Sequence, residues 1–230
     1  MTVIKIAHRG ASGYKPQNTL AAFDKACELK VDYIECDTRL CHSGQLVVIH
    51  DKTVDKTTNG KGSVSKLTLQ ELKKLDAGQG ESIPTLAEVL GRYQHRVKIM
   101  VDLKSPNCAN AFLELIRRYQ AQKNIIAAST YHHLLASIKI REPKIETAIS
   151  FDIYNYLKHF FVKNFFVAAA KIIKAENVNI YYKFIDEDLV KRAHRHKIKI
   201  NAFPPNNIEE IKWLKNIKVD GIISNFPDLI

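Results

Sequence analysis

Four short fragments hold the acid–base and metal-ligating side chains that could act together: His8-Arg9-Gly10, Glu35-Cys36-Asp37, His50-Asp51 and Asp102-Leu103-Lys104. Successive side chains of a strand point to opposite faces, so Glu35 and Asp37 share one face, as do Asp102 and Lys104. Three carboxylates can then converge on one point. Such a cluster of oxygens suits a hard divalent cation, Mg2+, Ca2+ or Mn2+, rather than zinc, which prefers Cys and His. His8 and His50 supply one base and one acid. Arg9 and Lys104 are placed to clamp anionic oxygens. The set predicts metal-assisted cleavage of a phosphodiester.

Each fragment closes an apolar, β-branched run: 3–7, 33–37, 46–50 and 97–102. A barrel puts its catalytic groups at strand ends of this kind. Further strands are expected at 125–129, 146–150, 178–182, 198–202 and 221–224. Helices are expected at 18–29, with Asn18 as N-cap, and at 85–93, 109–120, 132–141, 186–196 and 208–214. Strands and helices alternate in the βαβ manner. Nine strand runs are one more than an eight-stranded barrel needs, so one of the middle runs is expected to be spurious. Residues 51–83 break the rhythm: a Thr57-Thr58-Asn59-Gly60-Lys61-Gly62 turn precedes a helix at 68–75 opened by a Thr68/Glu71 capping box. They read as a small insertion after the third strand, covering the barrel mouth. No repeat or linker appears, so residues 1–230 are expected to form a single domain.

At these residues the chain resembles the glycerophosphodiester phosphodiesterase family. The match runs from Ala7-His8-Arg9-Gly10-Ala11 through Pro16-Gln17-Asn18-Thr19, Glu35-Cys36-Asp37, Val48-Ile49-His50-Asp51, Thr57–Gly62 and Leu75-Asp76-Ala77-Gly78. It continues in Ile83-Pro84-Thr85-Leu86, Asp102-Leu103-Lys104 and Val219–Pro227. The resemblance implies an α/β TIM-like (β/α)8 barrel, one divalent cation, and hydrolysis of glycerophosphodiesters to an alcohol and glycerol 3-phosphate. It places His8 and His50 on the acid–base pair, Glu35, Asp37 and Asp102 on the metal ligands, and Arg9 and Lys104 on the phosphate. Gln17, Asn18 and Asp51 are expected to stand behind them.

Three positions depart from the family pattern. Asp102 stands where Glu is usual, so ligation is expected to pass through water or to draw the metal closer. Gln17 replaces Glu, which is expected to weaken the metal site or to release Arg9 from a partner. Phe203-Pro204-Pro205-Asn206 stands for Trp-Thr-Val-Asn, so Phe203 keeps an aromatic wall for the alcohol but loses an indole N–H donor. Two other outcomes fit the same residues: a phospholipase D-like lyase that releases a cyclic phosphate, or a weakly active barrel that only binds phosphodiesters.

Composition is consistent with this reading. The 230 residues, 46% hydrophobic, suffice for one large core. Cys27, Cys36, Cys41 and Cys108 show no zinc spacing and are expected to be reduced thiols, with Cys36 packing on the strand face opposite the ligands. Residues 1–6 lack a signal-peptide pattern, and a cytoplasmic protein is expected. The formal charge of +11 suits an anionic small-molecule substrate. No basic run is interleaved with aromatics, so nucleic acid is not an expected partner. His132, His133, His159, His194 and His196 read as surface residues. Residues 156–173 form an aromatic, basic stretch in which Leu157, Phe161, Phe165, Ala168 and Ile172 can face the barrel. That register leaves Phe160 and Phe166 for a bilayer surface or a homodimer contact.

Overall fold

The computed structural model describes residues 2–151 and 163–230. Among these, nine strands form one sheet: β1 (Ile4–Ala7), β2 (Tyr33–Leu40), β3 (Leu46–Val48), β4 (Lys98–Leu103), β5 (Ile125–Ser129), β6 (Glu146–Ser150), β7 (Asn177–Tyr181), β8 (Lys199–Phe203) and β9 (Gly221–Ser224). All but β3 are parallel to their neighbours, and β1 pairs with both β2 and β9, which closes a barrel of eight strands. Around it run α1 (Leu20–Glu28), α3 (Leu86–Tyr93), α4 (Ala109–Arg118), α5 (His132–Arg141), α6 (Lys163–Ile173), α7 (Glu187–Arg195) and α8 (Ile208–Asn216). The short α2 (Leu69–Leu72) lies in the excursion after β3.

None of the nine expected strand runs is spurious, which corrects the reading from sequence. The ninth is β3, antiparallel to β2 and outside the barrel ring. Residues 41–45 alone join the two. A connection that short makes a hairpin, whereas a parallel crossover needs roughly a dozen residues. His50 therefore follows a strand that is not a barrel stave.

Inside the ring, Ile6, Tyr33, Met100, Ile126, Ala128, Ala148 and Ile223 form an inner core. Residues of the opposite parity, including Ile34, Cys36, Ile99 and Val101, pack outward into the helical layer. Cys36 is thus the packing residue expected. Carried upward, the inner parity of Ile6, Tyr33 and Met100 delivers His8, then Glu35 and Asp37, then Asp102 to the mouth.

The excursion has a core of its own: Cys41, Val47, Ile49, Val54, Val64, Leu72 and Ile83. Its helix is shorter than expected, Leu69–Leu72. The capping box is formed as anticipated: the Thr68 backbone N–H donates to Glu71 Oε2 at 2.8 Å, and the Glu71 N–H to Thr68 Oγ1 at 3.3 Å. A second box, Thr85/Glu88, opens α3.

Two helix assignments need correction. Asn18 is not the N-cap of α1; Thr19 is, accepting from the Ala22 N–H at 3.3 Å. Asn18 has φ 59° and spends its amide on Asp37 instead. In α6 the buried stripe is Phe166, Val167, Ala169 and Ala170, while Phe165 is 50% and Ile172 81% exposed. That is the reverse of the expected register. Two apolar stripes run along this helix; Phe151 meets the rings heading both, Phe166 at 4.6 Å and Phe165 at 6.0 Å, and it is the Phe166 stripe that is buried. Phe160, with the rest of 152–162, including His159, lies outside the described residues. His132 is also not a plain surface residue: its ring packs on Phe151 at 5.1 Å, with Nε2 3.3 Å from the Ser150 carbonyl.

Five helices, α1, α4, α6, α7 and α8, end alike. Lys30, Gln120, Lys174, Lys197 and Lys218 all have φ between 53° and 64°. The residue after each, Val31, Ala121, Ala175, Ile198 or Val219, is buried and sends its N–H back into the last helical turn. These are Schellman terminations with an apolar follower.

Candidate active site

The strand ends and the excursion meet around a cavity of about 550 Å³. It is lined by His8, Arg9, Glu35, Asp37, His50, Asp102, Lys104 and Phe203, and further by Arg39, Lys52, Tyr131, Ser150, Phe151, Asn179 and Pro204. Every residue expected to meet substrate or metal is therefore brought to one place. Gln17, Asn18 and Asp51 each hydrogen-bond to a lining residue, Arg9, Asp37 and His50 respectively.

After β1 the chain turns through two left-handed residues, Arg9 at φ 58° and Gly10 at φ 76°. A Cβ on Gly10 would lie 2.6 Å from the Ala22 backbone, so only glycine fits where the turn presses on α1. The turn aims the Arg9 N–H at Glu35 Oε2, 2.7 Å away. It also leaves His8 with its Nδ1 2.7 Å from Asn225 Oδ1, on the loop after β9.

Parallel pairing sets Asp37 beside Asp102 and Glu35 beside Met100. Glu35, Asp37 and Asp102 each offer an oxygen within 4.8 Å of the others. Asp37 Oδ2 accepts from Asn18 Nδ2 at 3.0 Å and lies 3.1 Å from Arg9 Nε; its Oδ1 is 3.2 Å from Lys104 Nζ. Lys104 Nζ also donates to Asp102 Oδ2 at 2.6 Å. The second oxygen, Asp102 Oδ1, is buried with no hydrogen-bond partner.

Charge follows from these contacts. Burial pushes the Glu35 carboxyl well above the usual range, and repulsion from Asp37 and Asp102 adds to it. Burial works against the Asp37 charge too, but Lys104 and Arg9 hold that group below the ordinary carboxylate range. A carboxyl whose charge is disfavoured first by burial and then by its acidic neighbours, and a buried carboxylate oxygen without a hydrogen-bond partner, both suit a bound cation. The donor set is all oxygen, so a hard divalent ion fits it, and Asp102 reaches the cluster despite its shorter side chain.

Gln17 does not release Arg9: its Oε1 accepts from the guanidinium at 2.5 Å. The two histidines differ in their partners. Burial and the adjacent Arg9 lower His8 to about 4, so it is neutral at pH 7. His50 Nδ1 lies 2.6 Å from Asp51 Oδ1, a carboxylate rather than an amide.

Arg39 was missed in the sequence, although it is the next inward position of β2 after Glu35 and Asp37. Its Nε donates to the His50 carbonyl at 2.7 Å and its NH1 to the Lys104 carbonyl at 2.9 Å, which ties the excursion to the barrel. Asn225 was also missed as the partner of His8, although it lies within a matched motif.

Comparison with known proteins places this geometry. A provisionally named glycerophosphodiester phosphodiesterase of Bacillus subtilis (strain 168) is 36% identical over 98% of this chain and 95% of its own length. The glycerophosphodiester phosphodiesterase of Caldanaerobacter subterraneus is 33% identical over 100% of this chain and 97% of its own. Among solved structures, an Oleispira antarctica phosphodiesterase in complex with the product sn-glycerol-3-phosphate superposes with a TM-score of 0.86 at 27% identity, covering 99% and 94% of the two chains. The Thermotoga maritima glycerophosphodiester phosphodiesterase gives 0.83 at 25% identity, with 100% and 97% covered. The pattern of the glycerophosphoryl diester phosphodiesterase family matches residues 8–229, and the chain belongs to that family.

Proposed function

We propose that this protein hydrolyses glycerophosphodiesters to an alcohol and glycerol 3-phosphate, using one divalent cation and a histidine pair. The observation that carries the reading is the convergence of Glu35, Asp37 and Asp102 within 4.8 Å, with His8 and His50 lining the same cavity. Glu35, Asp37 and Asp102 would hold the cation, Mg2+, Ca2+ or Mn2+. Bound there, it supplies Lewis-acid polarisation of the phosphoryl oxygens. Arg9 and Lys104 offset the phosphate charge from within the same cluster.

The histidine partners divide the proton work. His8 is neutral at pH 7 and backed by an uncharged amide, so it starts able to accept a proton. The Asp51 carboxylate engages His50 Nδ1, which leaves Nε2 as the nitrogen to donate to the leaving alcohol oxygen. Phe203, with Tyr131 and Phe151, forms an aromatic wall for the substrate.

The test is a matrix of metals against glycerophosphocholine, -ethanolamine, -glycerol and -inositol in H2(18)O. Glycerol 3-phosphate carrying solvent oxygen supports hydrolysis. A cyclic phosphate means the lyase reaction, and binding without turnover under any metal means a binding barrel. No described helix is long and apolar enough to cross a membrane. Any bilayer or dimer contact through 156–173 falls, within the described residues, to Phe165 and Ile172; vesicle co-sedimentation and light scattering of Phe165→Ser/Ile172→Ser test it.

A further inference from the structure

The cavity holds more positive charge than one phosphodiester needs. Its acids are the three of the cluster, and Arg9 and Lys104 are ion-paired to them. Arg39 and Lys52 line the same cavity, yet neither meets a carboxylate among the described residues. Arg39 is half-buried and fixed by two backbone carbonyls, which position its guanidinium without neutralising it. Asp37, Asp51 and Asp102 favour its charge from a distance, but none forms an ion pair with it among the described residues, so a ligand's negative charge would be well placed there.

Position decides which end of the substrate this charge serves. Arg39 donates to the carbonyl of His50, and Lys52 lies two residues beyond His50 on the cavity rim. The alcohol leaves beside the residue that protonates it. We propose that Arg39 and Lys52 form a subsite for a second negative charge on the alcohol, so that diesters of phosphorylated alcohols are preferred. This rests on the assignment of His50 as proton donor in the proposed hydrolysis.

The test compares two substrates that differ only in that charge: glycerophosphoinositol and glycerophosphoinositol 4-phosphate. The phosphorylated diester should be favoured about tenfold or more in kcat/KM, chiefly through KM, with the advantage shrinking as salt rises. Lys52→Glu should collapse the ratio. Equal kcat/KM for the pair, a preference for glycerophosphocholine, or a ratio untouched by Lys52→Glu would overturn the subsite. Calorimetry with inositol 1-phosphate and inositol 1,4-bisphosphate asks the same question without turnover. Tighter binding of the bisphosphate, lost in Lys52→Glu, supports the subsite even if hydrolysis itself fails; equal binding removes it.

Discussion

His8 and His50 face one cavity from two differently built regions. His8 follows a barrel stave whose neighbours on both sides are parallel strands, and its ring leans on the neutral amide of Asn225. His50 follows an antiparallel strand outside the ring, above a separate small core, and leans on a carboxylate. The chain thus fixes one histidine with its main core and the other with an appended one. Arg39 is the tie between them. The proposed division of proton work between two like side chains rests on what stands behind each, an amide in one case and a carboxylate in the other.

Removing what both regions share should have the largest effect. Exhaustive chelation is expected to abolish turnover and to lower Tm, with recovery on adding Mg2+, Mn2+ or Ca2+. Full activity with no metal by elemental analysis would discard the cation. Next, His8→Ala and His50→Ala should each cost on the order of 10²–10⁴ in rate. The comparison is sharpened by a diester with a p-nitrophenol leaving group, which departs without a proton. It should restore turnover to His50→Ala and not to His8→Ala; equal rescue would erase the division of roles.

The two cores can be weakened separately. Leu72→Ala in the appended core should destabilise by about 2–5 kcal/mol, and activity should fall with temperature before far-UV dichroism does. Coincident loss would show that the excursion and barrel melt as one unit. A subtler exchange alters the backing groups. Asn225→Asp puts a carboxylate behind His8, which raises its pKa from about 4. A base must be unprotonated to act, so the acid limb of kcat/KM should move to higher pH; an unmoved limb would remove His8 as acceptor. The smallest effect expected is from Asp102→Glu with Gln17→Glu, which should lower the metal concentration for half-maximal activity. A looser site would mean that the cluster has repacked around the shorter side chain.

Much of this was legible in the residues. The strands at 125–129, 146–150 and 221–224 have the expected bounds, because apolar runs closed by turn residues leave little choice. Period two alone put Glu35 and Asp37 on one face, and the same rule extended by two would have found Arg39. The orientation of β3 was readable in the five-residue connection before it, but not in the strand's own sequence. The register of α6 was not readable: Phe165 and Phe166 head two apolar stripes, and only the tertiary packing buries one of them. Asn18 looked like a cap because its type suits one. Its partner, Asp37, is nineteen residues away in sequence, beyond any local rule.

The five alike helix ends have a practical consequence for anyone wishing to harden the scaffold. Lys30, Gln120, Lys174, Lys197 and Lys218 occupy a backbone conformation that costs an L-residue about 1–2 kcal/mol. Glycine adopts it freely but gives back about 0.5–1 kcal/mol through its greater freedom when unfolded. A net gain of up to about 1.5 kcal/mol is therefore open at each position. The five lie at the far ends of their helices, and none of them lines the cavity. Evolution has left basic side chains at four of them, and an engineer could exchange that surface charge for heat resistance without touching a residue that meets substrate.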